Sequence, residues 1–254
     1  MTIIKEKIGL IAANGTLPLV FIQEASHKNF SIIAIALTRD SAKQIKKQGL
    51  AEKIHRINLT EIDLIIRTLI IEKVKKVVML GKVNKIDIFF GLKFDKRTQE
   101  LLKKKTDFKD SSFMQLAIQE LESEGLTVLK QTEFLSSLLV QPGVLTIRKP
   151  GQEEIADIQY GLEAAKEIAR MDIGQTIVVK NRTVIAVEAL EGTDAAILRA
   201  GKLIREGGIV VKVSRPKQDL RYDIPAIGLN TLKSMKKSKI NILAIEANKT
   251  LLLD

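Results

Sequence analysis

Apolar residues in the first half of the chain fall into short, nearly unbroken runs separated by segments of helical period. Residues 7–12 and 31–37 each read as a strand, because apolar or small residues fill consecutive positions after Lys7 and from Ser31. Residues 54–57 read as a short strand and 77–80 as a buried one. Helices are expected between them. Pro18 opens one, Asp40 caps a second that ends near Gly49, and Thr60 caps a third with Ile62, Ile65, Ile66, Leu69 and Ile70 on one side. Strand and helix in alternation predict a parallel sheet with helices on both faces.

Residues 95–124 have helical period, 126–129 form a short strand, and 134–139 are a further apolar run. Gln141-Pro142-Gly143 and Lys149-Pro150-Gly151 then interrupt the pattern. A boundary just ahead of them gives a first domain over 1–138 and a second over 139–254. The second opens with a helix at 153–169. The runs 175–180 and 183–190, joined by Asn181-Arg182, predict a β-hairpin. Helices at 195–205 and after Gly228 flank a strand at 209–213, and 242–245 and 250–253 are expected to pair as closing strands. The expected fold is α/β: an N-terminal parallel-sheet, Rossmann-like domain, then a second α/β domain with a mixed sheet.

Composition narrows the function. The 254 residues are 45% hydrophobic and 28% charged, enough for a sizeable core. Cysteine is absent, which excludes disulfides, thiolate metal sites and a catalytic thiol, and fits the cytoplasm. No apolar run nears the ~20 residues needed to span a bilayer. The run 8–13 is too short for the core of a secretory leader. The net charge of +11 favours anionic ligands, but with two Tyr and no Trp there is no aromatic-interleaved basic signature, so no nucleic-acid partner is expected.

The chain holds neither a GxxxxGK[ST] nor a GxGxxG motif. The loop Ala13-Asn14-Gly15 nevertheless lies between a strand and a helix, where open α/β sheets bind ligands and backbone N–H groups meet anions; it also reads as a simple tight turn. The two histidines, His27 and His55, each follow a Glu by three residues, and neither pairing has the setting of a metal site. No G-x-S-x-G elbow is present. In the second half polar residues gather at strand ends: Glu188, Glu191, Thr193 and Asp194, then Arg215, Gln218, Asp219, Arg221 and Asp223. Lys212 lies inside an apolar strand, where a charge is costly unless paired. Carboxylates beside cations suit a phosphate ester held with Mg²⁺. Taken alone, 217–223 also reads as a solvated loop and Asp194 as a helix N-cap.

At these segments the sequence resembles the LpxI-type UDP-2,3-diacylglucosamine pyrophosphatases. The resemblance runs through Asp172-Ile173-Gly174-Gln175-Thr176, Ala186-Val187-Glu188-Ala189-Leu190-Glu191-Gly192-Thr193-Asp194, Val211-Lys212-Val213 and the stretch from Pro216 to Gly228. It extends to Glu246-Ala247 and, in the first half, to Asn14-Gly15 and Gly81-Lys82-Val83. It implies two domains and hydrolysis of UDP-2,3-diacylglucosamine to UMP and 2,3-diacylglucosamine 1-phosphate in lipid A synthesis. Water would attack the sugar-side phosphorus with Mg²⁺ as cofactor. It implies a critical aspartate, carried onto Asp223 with Asp219 as the competing match, and metal contact through Asp223 and Asp194. Asn14, Gly15, Lys82, Thr193, Asp194, Lys212, Gln218 and Arg221 would contact substrate. The expected setting is the cytoplasm, with peripheral contact at the inner membrane and a homodimer left open. Family members often carry Gly-Asp-Asp where this chain reads Lys109-Asp110-Ser111.

Overall fold

The computed structural model describes residues 5–82, 94–103 and 110–253, with backbone alone at 110 and 111. The chain divides into two compact units, one over 1–135 with 220–222, the other over 136–219 and 223–254.

The first unit has strands β1 (Lys7–Ala12), β2 (Ser31–Ala36), β3 (Lys53–Arg56), β4 (Lys76–Leu80) and β5 (Thr127–Val128). Among the described residues they form one sheet in the order β3-β2-β1-β4-β5, with every neighbouring pair parallel. Ile8 and residues 10–12 of β1 are all buried, as a strand covered on both faces requires. One face carries Ile11, Ile33, Ile35, Val77 and Met79. They pack with α3 (Ile62–Ile71), α4 (Lys96–Lys103) and α5 (Asp110–Ser123) through Ile66, Leu69, Leu101 and Phe113. Helices α1 (Leu17–His27) and α2 (Arg39–Gln48) bury Phe21, Ile22 and Ala25, and Ile45.

Two capping expectations are corrected. Thr38, not Asp40, caps α2: its Oγ1 accepts the Ser41 N–H at 3.0 Å, while Ser41 Oγ accepts the Thr38 N–H at 3.3 Å. Thr60 does not cap α3 with its side chain. Its carbonyl accepts from Thr98 Oγ1 at 2.9 Å, and Asp95 Oδ2 takes the free Asp63 N–H at 2.9 Å. The apolar run at 134–139 is helical, with α6 (Thr132–Leu135) followed by a 3₁₀ turn at Ser136–Leu138. His55 meets Glu72 at 3.1 Å, not the nearby Glu52.

The second unit has α7 (Gln152–Arg170), β6 (Thr176–Lys180), β7 (Thr183–Val187), α8 (Thr193–Ile204), β8 (Ile209–Lys212), β9 (Ala226–Ile227), α9 (Leu229–Lys237), β10 (Ile242–Ile245) and β11 (Leu251–Leu252). Its mixed sheet runs β10-β8-β6-β7, with β10 and β8 parallel and the other pairs antiparallel. The period-2 alternation shares its residues between two layers. Ile177, Val179, Ile209 and Val211 meet Ala165 and Ala169 of α7, while Val178 and Val210 meet Ile197, Ala200 and Met235 of α8 and α9. The expected pairing of the last two strands is overturned. β10 joins β8, and β11 joins β9 in a separate two-stranded sheet. Among the described residues no helix is long and apolar enough to cross a membrane.

Candidate active site

Strand order places a topological switch point in the first unit between β1 and β4, whose connections leave in opposite directions. At their C-terminal ends Lys82 N–H donates to Asn14 O at 2.8 Å and Asn14 N–H donates to Lys82 O at 3.3 Å. Thr38 Oγ1, arriving from β2, donates to Asn14 Oδ1 at 2.5 Å. Gly81 makes this closure feasible. Its φ is +101°, and a Cβ there would stand 2.7 Å from the Ala13 carbonyl carbon. Gly15, at φ +113°, turns the chain into α1, whose first turn receives no side-chain cap. Unpartnered N–H groups at such an end attract anions. Beside this crevice is an apolar pocket of about 70 Å³ lined by Ile11, Ala13, Met79, Phe113 and Tyr222, among others.

In the second unit polar groups converge where β8 ends. Register puts Lys212 opposite Thr176 of β6 and Ile245 of β10. Lys212 is only 9% exposed. Its Nζ donates to Thr193 Oγ1 at 2.9 Å, and Thr193 Oγ1 lies 2.9 Å from Glu188 Oε1, to which it donates. Thr176 Oγ1 is 3.3 Å from Thr193 Oγ1. A buried ammonium needs such compensation, here relayed through a hydroxyl. Gly174 lets the two backbones close, since a Cβ there would overlap the Glu188 carbonyl oxygen. Asp194 lies in the first turn of α8, but Gly192 is the N-cap; Asp194 Oδ1 accepts from Thr231 Oγ1 of α9 at 2.9 Å.

The loop after β8 is a second polar cluster. Arg215 Nη1 donates to Asp223 Oδ2, and Arg215 Nε is 2.7 Å from Asp172 Oδ1. Gln218 closes the loop: its Oε1 accepts the Arg215 N–H at 2.6 Å and its Nε2 donates to Asp223 O at 2.8 Å. Asp219 O accepts the Asp223 N–H at 3.1 Å. Arg221 falls among the residues of the first unit, where Nη1 meets Glu122 Oε1 at 3.0 Å. Lys166, Ser214 and Glu246 stand behind the loop. Burial pushes the Glu246 carboxyl up, yet Lys166 and the N–H and hydroxyl of Ser214 more than reverse this and hold it at about 2.

The sequence-predicted residues therefore gather in three sets: Asn14, Gly15 and Lys82 in the first unit; Lys212 and Thr193, with Asp194 adjoining in sequence; and Gln218, Asp219 and Asp223 in the loop. Sequence reasoning left Glu188, Asp172, Arg215, Lys166 and Glu246 without a role. A lysine inside an apolar strand signals that a partner exists, but not which acid supplies it. Among the described residues no three His, Asp or Glu groups converge as a metal cage. Mg²⁺ asks for less, one or two carboxylates completed by phosphate and water. Asp194, bonded through Oδ1 to Thr231, and Asp223, bonded through Oδ2 to Arg215, each present a carboxylate of that donor type, in separate clusters. Val83 and the Asp110 side chain lie outside the described residues.

A parallel sheet with an anion-receptive crevice, followed by a mixed sheet ending in a buried cation and carboxylates, defines a two-unit α/β protein suited to a phosphorylated ligand. Residues 7–138 match the family described as LpxI N-terminal domain, and residues 141–254 match LpxI C-terminal domain. The chain belongs to the LpxI family. It is 30% identical over 261 residues to the UDP-2,3-diacylglucosamine pyrophosphatase LpxI of Caulobacter vibrioides, covering 98% of this chain and 91% of that one. Among solved structures, Cj0485 dehydrogenase has a TM-score of 0.28 at 15% identity, covering 66% of this chain and 65% of that one. An N5-carboxyaminoimidazole synthetase from Staphylococcus aureus has a TM-score of 0.25 at 15% identity, covering 70% and 42%. At those scores neither bears on fold or activity.

Proposed function

We propose that this chain hydrolyses the pyrophosphate bond of UDP-2,3-diacylglucosamine, releasing UMP and 2,3-diacylglucosamine 1-phosphate in lipid A synthesis. The observation that carries this reading is the match to a pyrophosphatase of that name along 98% of the chain. The local geometry supports it. With the Asn14 and Lys82 peptides bonded to each other, Gly15 and the first turn of α1 supply the N–H groups, Asn14 its side-chain amide and Lys82 an exposed ammonium that we assign to the nucleotide or its phosphates. The apolar pocket beside them has room for a few methylenes of an acyl chain.

Asp223 is the residue we assign to positioning and deprotonating the attacking water, with Asp219 as its competitor in the loop. Lys212, presented by Thr193, offsets charge that develops on the phosphoryl oxygens. Gln218 holds the Asp223 backbone, and Arg221 is the further cation we assign to the phosphates. Asp223 and Asp194 would hold Mg²⁺, which when bound neutralises phosphate charge and polarises the scissile linkage. Water attacks the phosphorus on the sugar side. A lipid-linked substrate brings the enzyme to the cytoplasmic face of the inner membrane, so peripheral contact there belongs to the same reading.

The test is turnover of UDP-2,3-diacylglucosamine with Mg²⁺ in ¹⁸O-water. UMP release with label in the sugar phosphate is the expected result. Label in UMP would overturn the direction of attack, and substrate binding without UMP release at any Mg²⁺ concentration would overturn the hydrolase.

A further inference from the structure

Glu246 follows β10 and bonds Ser214, Lys166 and Lys249, residues that have no role in the reading above. Its Oε2 accepts three hydrogen bonds: from Ser214 N–H at 2.5 Å, Ser214 Oγ at 2.7 Å and Lys166 Nζ at 2.6 Å. Lys166 Nζ also donates to Ser214 O at 2.9 Å. Ser214 is thus held at its N–H, its hydroxyl and its carbonyl by one ion pair anchored on α7. The next residue is Arg215, whose guanidinium reaches Asp223 on one side and Asp172 on the other. The Arg215 N–H is itself tied to Gln218, which holds the Asp223 carbonyl.

We infer that Glu246 is a positioning residue for Asp223, acting through Ser214 and Arg215. The inference rests on the assignment of Asp223 above. The physical basis is the quality of the anchor. Three charge-assisted bonds on one carboxylate, itself 16% exposed, define the Ser214 corner far better than a loop of solvated residues could. The carboxyl also stays ionised at any pH suited to turnover, because Lys166 and Ser214 outweigh its burial. A glutamine of the same shape keeps an acceptor oxygen but loses the charge, so Lys166 and the Ser214 N–H would each be held more weakly.

Kinetics on UDP-2,3-diacylglucosamine with Mg²⁺ would be compared for the natural enzyme, Glu246→Gln, Arg215→Met, the double variant and Asp223→Ala. Glu246→Gln should lower kcat about tenfold or more, with KM held within about threefold, since the fault lies in placement of the reacting group. In the Arg215→Met background the same change should cost little more, because its route to Asp223 is already cut. A kcat within about twofold of natural, a loss confined to KM, or losses that multiply fully in the double variant would each overturn the inference. Should Glu246→Gln fail to fold, Lys166→Met tests the same anchor with the same expected non-additivity. Asp223→Ala separates the two claims. Full activity there overturns the assignment of Asp223 itself; an inactive Asp223→Ala beside a normal Glu246→Gln overturns only the role of Glu246.

Discussion

The two sheet ends that hold the candidate residues are built in opposite ways. In the first unit the crevice is made of backbone: Asn14 and Lys82 exchange peptide hydrogen bonds, Gly81 allows the close approach, and the nearby wall is apolar. In the second unit the sheet end is made of side chains linked in series, Lys212 to Thr193 to Glu188, and Glu246 to Ser214 beside Arg215 and Asp223. Fixed N–H groups recognise an anion without changing its charge; ionised side chains are what a developing charge can be offset against. The contrast therefore divides labour on the proposed reading, with the first unit binding and the second carrying out chemistry.

That division breaks most visibly at Asp223. Asp223→Ala should lower kcat by at least ~10³-fold while calorimetry still finds substrate binding, since a water-activating base is lost and the binding crevice is not. Loss of binding in parallel with turnover would move Asp223 to the recognition side. Lys212→Met comes next. The aliphatic stem keeps its place in β8, the cation is lost, and kcat should fall roughly 10²-fold in steady-state assays. A change in KM alone would mean that Lys212 serves binding, and the comparison between the units would fail there.

What could be read from sequence follows the same split. The parallel sheet was legible because strands covered on both faces leave unbroken apolar runs, as in β1 and β2. The hairpin of the second unit was legible from its two-residue gap. Asn181 and Arg182 both adopt positive φ, 51° and 53°, and Asp157 accepts both of their N–H groups. Pairing of the last strands was not legible, because alternation fixes which face a residue occupies and says nothing of its neighbour in the sheet. The Asn14-Gly15 loop could be located since a strand-to-helix turn is a local feature. Lys212 could be flagged as a buried charge. Glu246 could not be given a role: it meets Lys166 across 80 residues, and each looks like an ordinary surface charge until the fold joins them.

Two smaller effects sharpen the contrast. Gly81→Ala forces a Cβ against the Ala13 and Asn14 backbone at a positive φ. It should destabilise the first unit by about 1–3 kcal/mol in denaturant unfolding. KM should rise about tenfold while kcat stays within about threefold, because a backbone-built crevice is deformed and the ionised cluster is not.

The last effect is on stability alone and belongs to the second unit. The folded-state pKa of Glu246 lies at about 2, below its ordinary 4.5, so the ionised carboxylate favours the folded state. A depressed carboxyl contributes its full stabilisation above its unfolded value, and that contribution drains away as pH falls from about 4.5 toward about 2. The groups facing it are cationic or neutral: Lys166 at 2.6 Å, Lys249 at 3.5 Å and the Ser214 N–H and hydroxyl. Other carboxyls with lowered values, Glu52, Glu72, Glu154 and Glu191, add to acid loss in both proteins, so only the difference between natural enzyme and Glu246→Gln isolates this group. Melting temperatures of the two should lie furthest apart near pH 6 and converge as pH approaches the folded value. A gap that stays constant over that window would mean that Glu246 contributes through shape and not through charge, and the second unit's end would then resemble the first more than the bonds around it suggest.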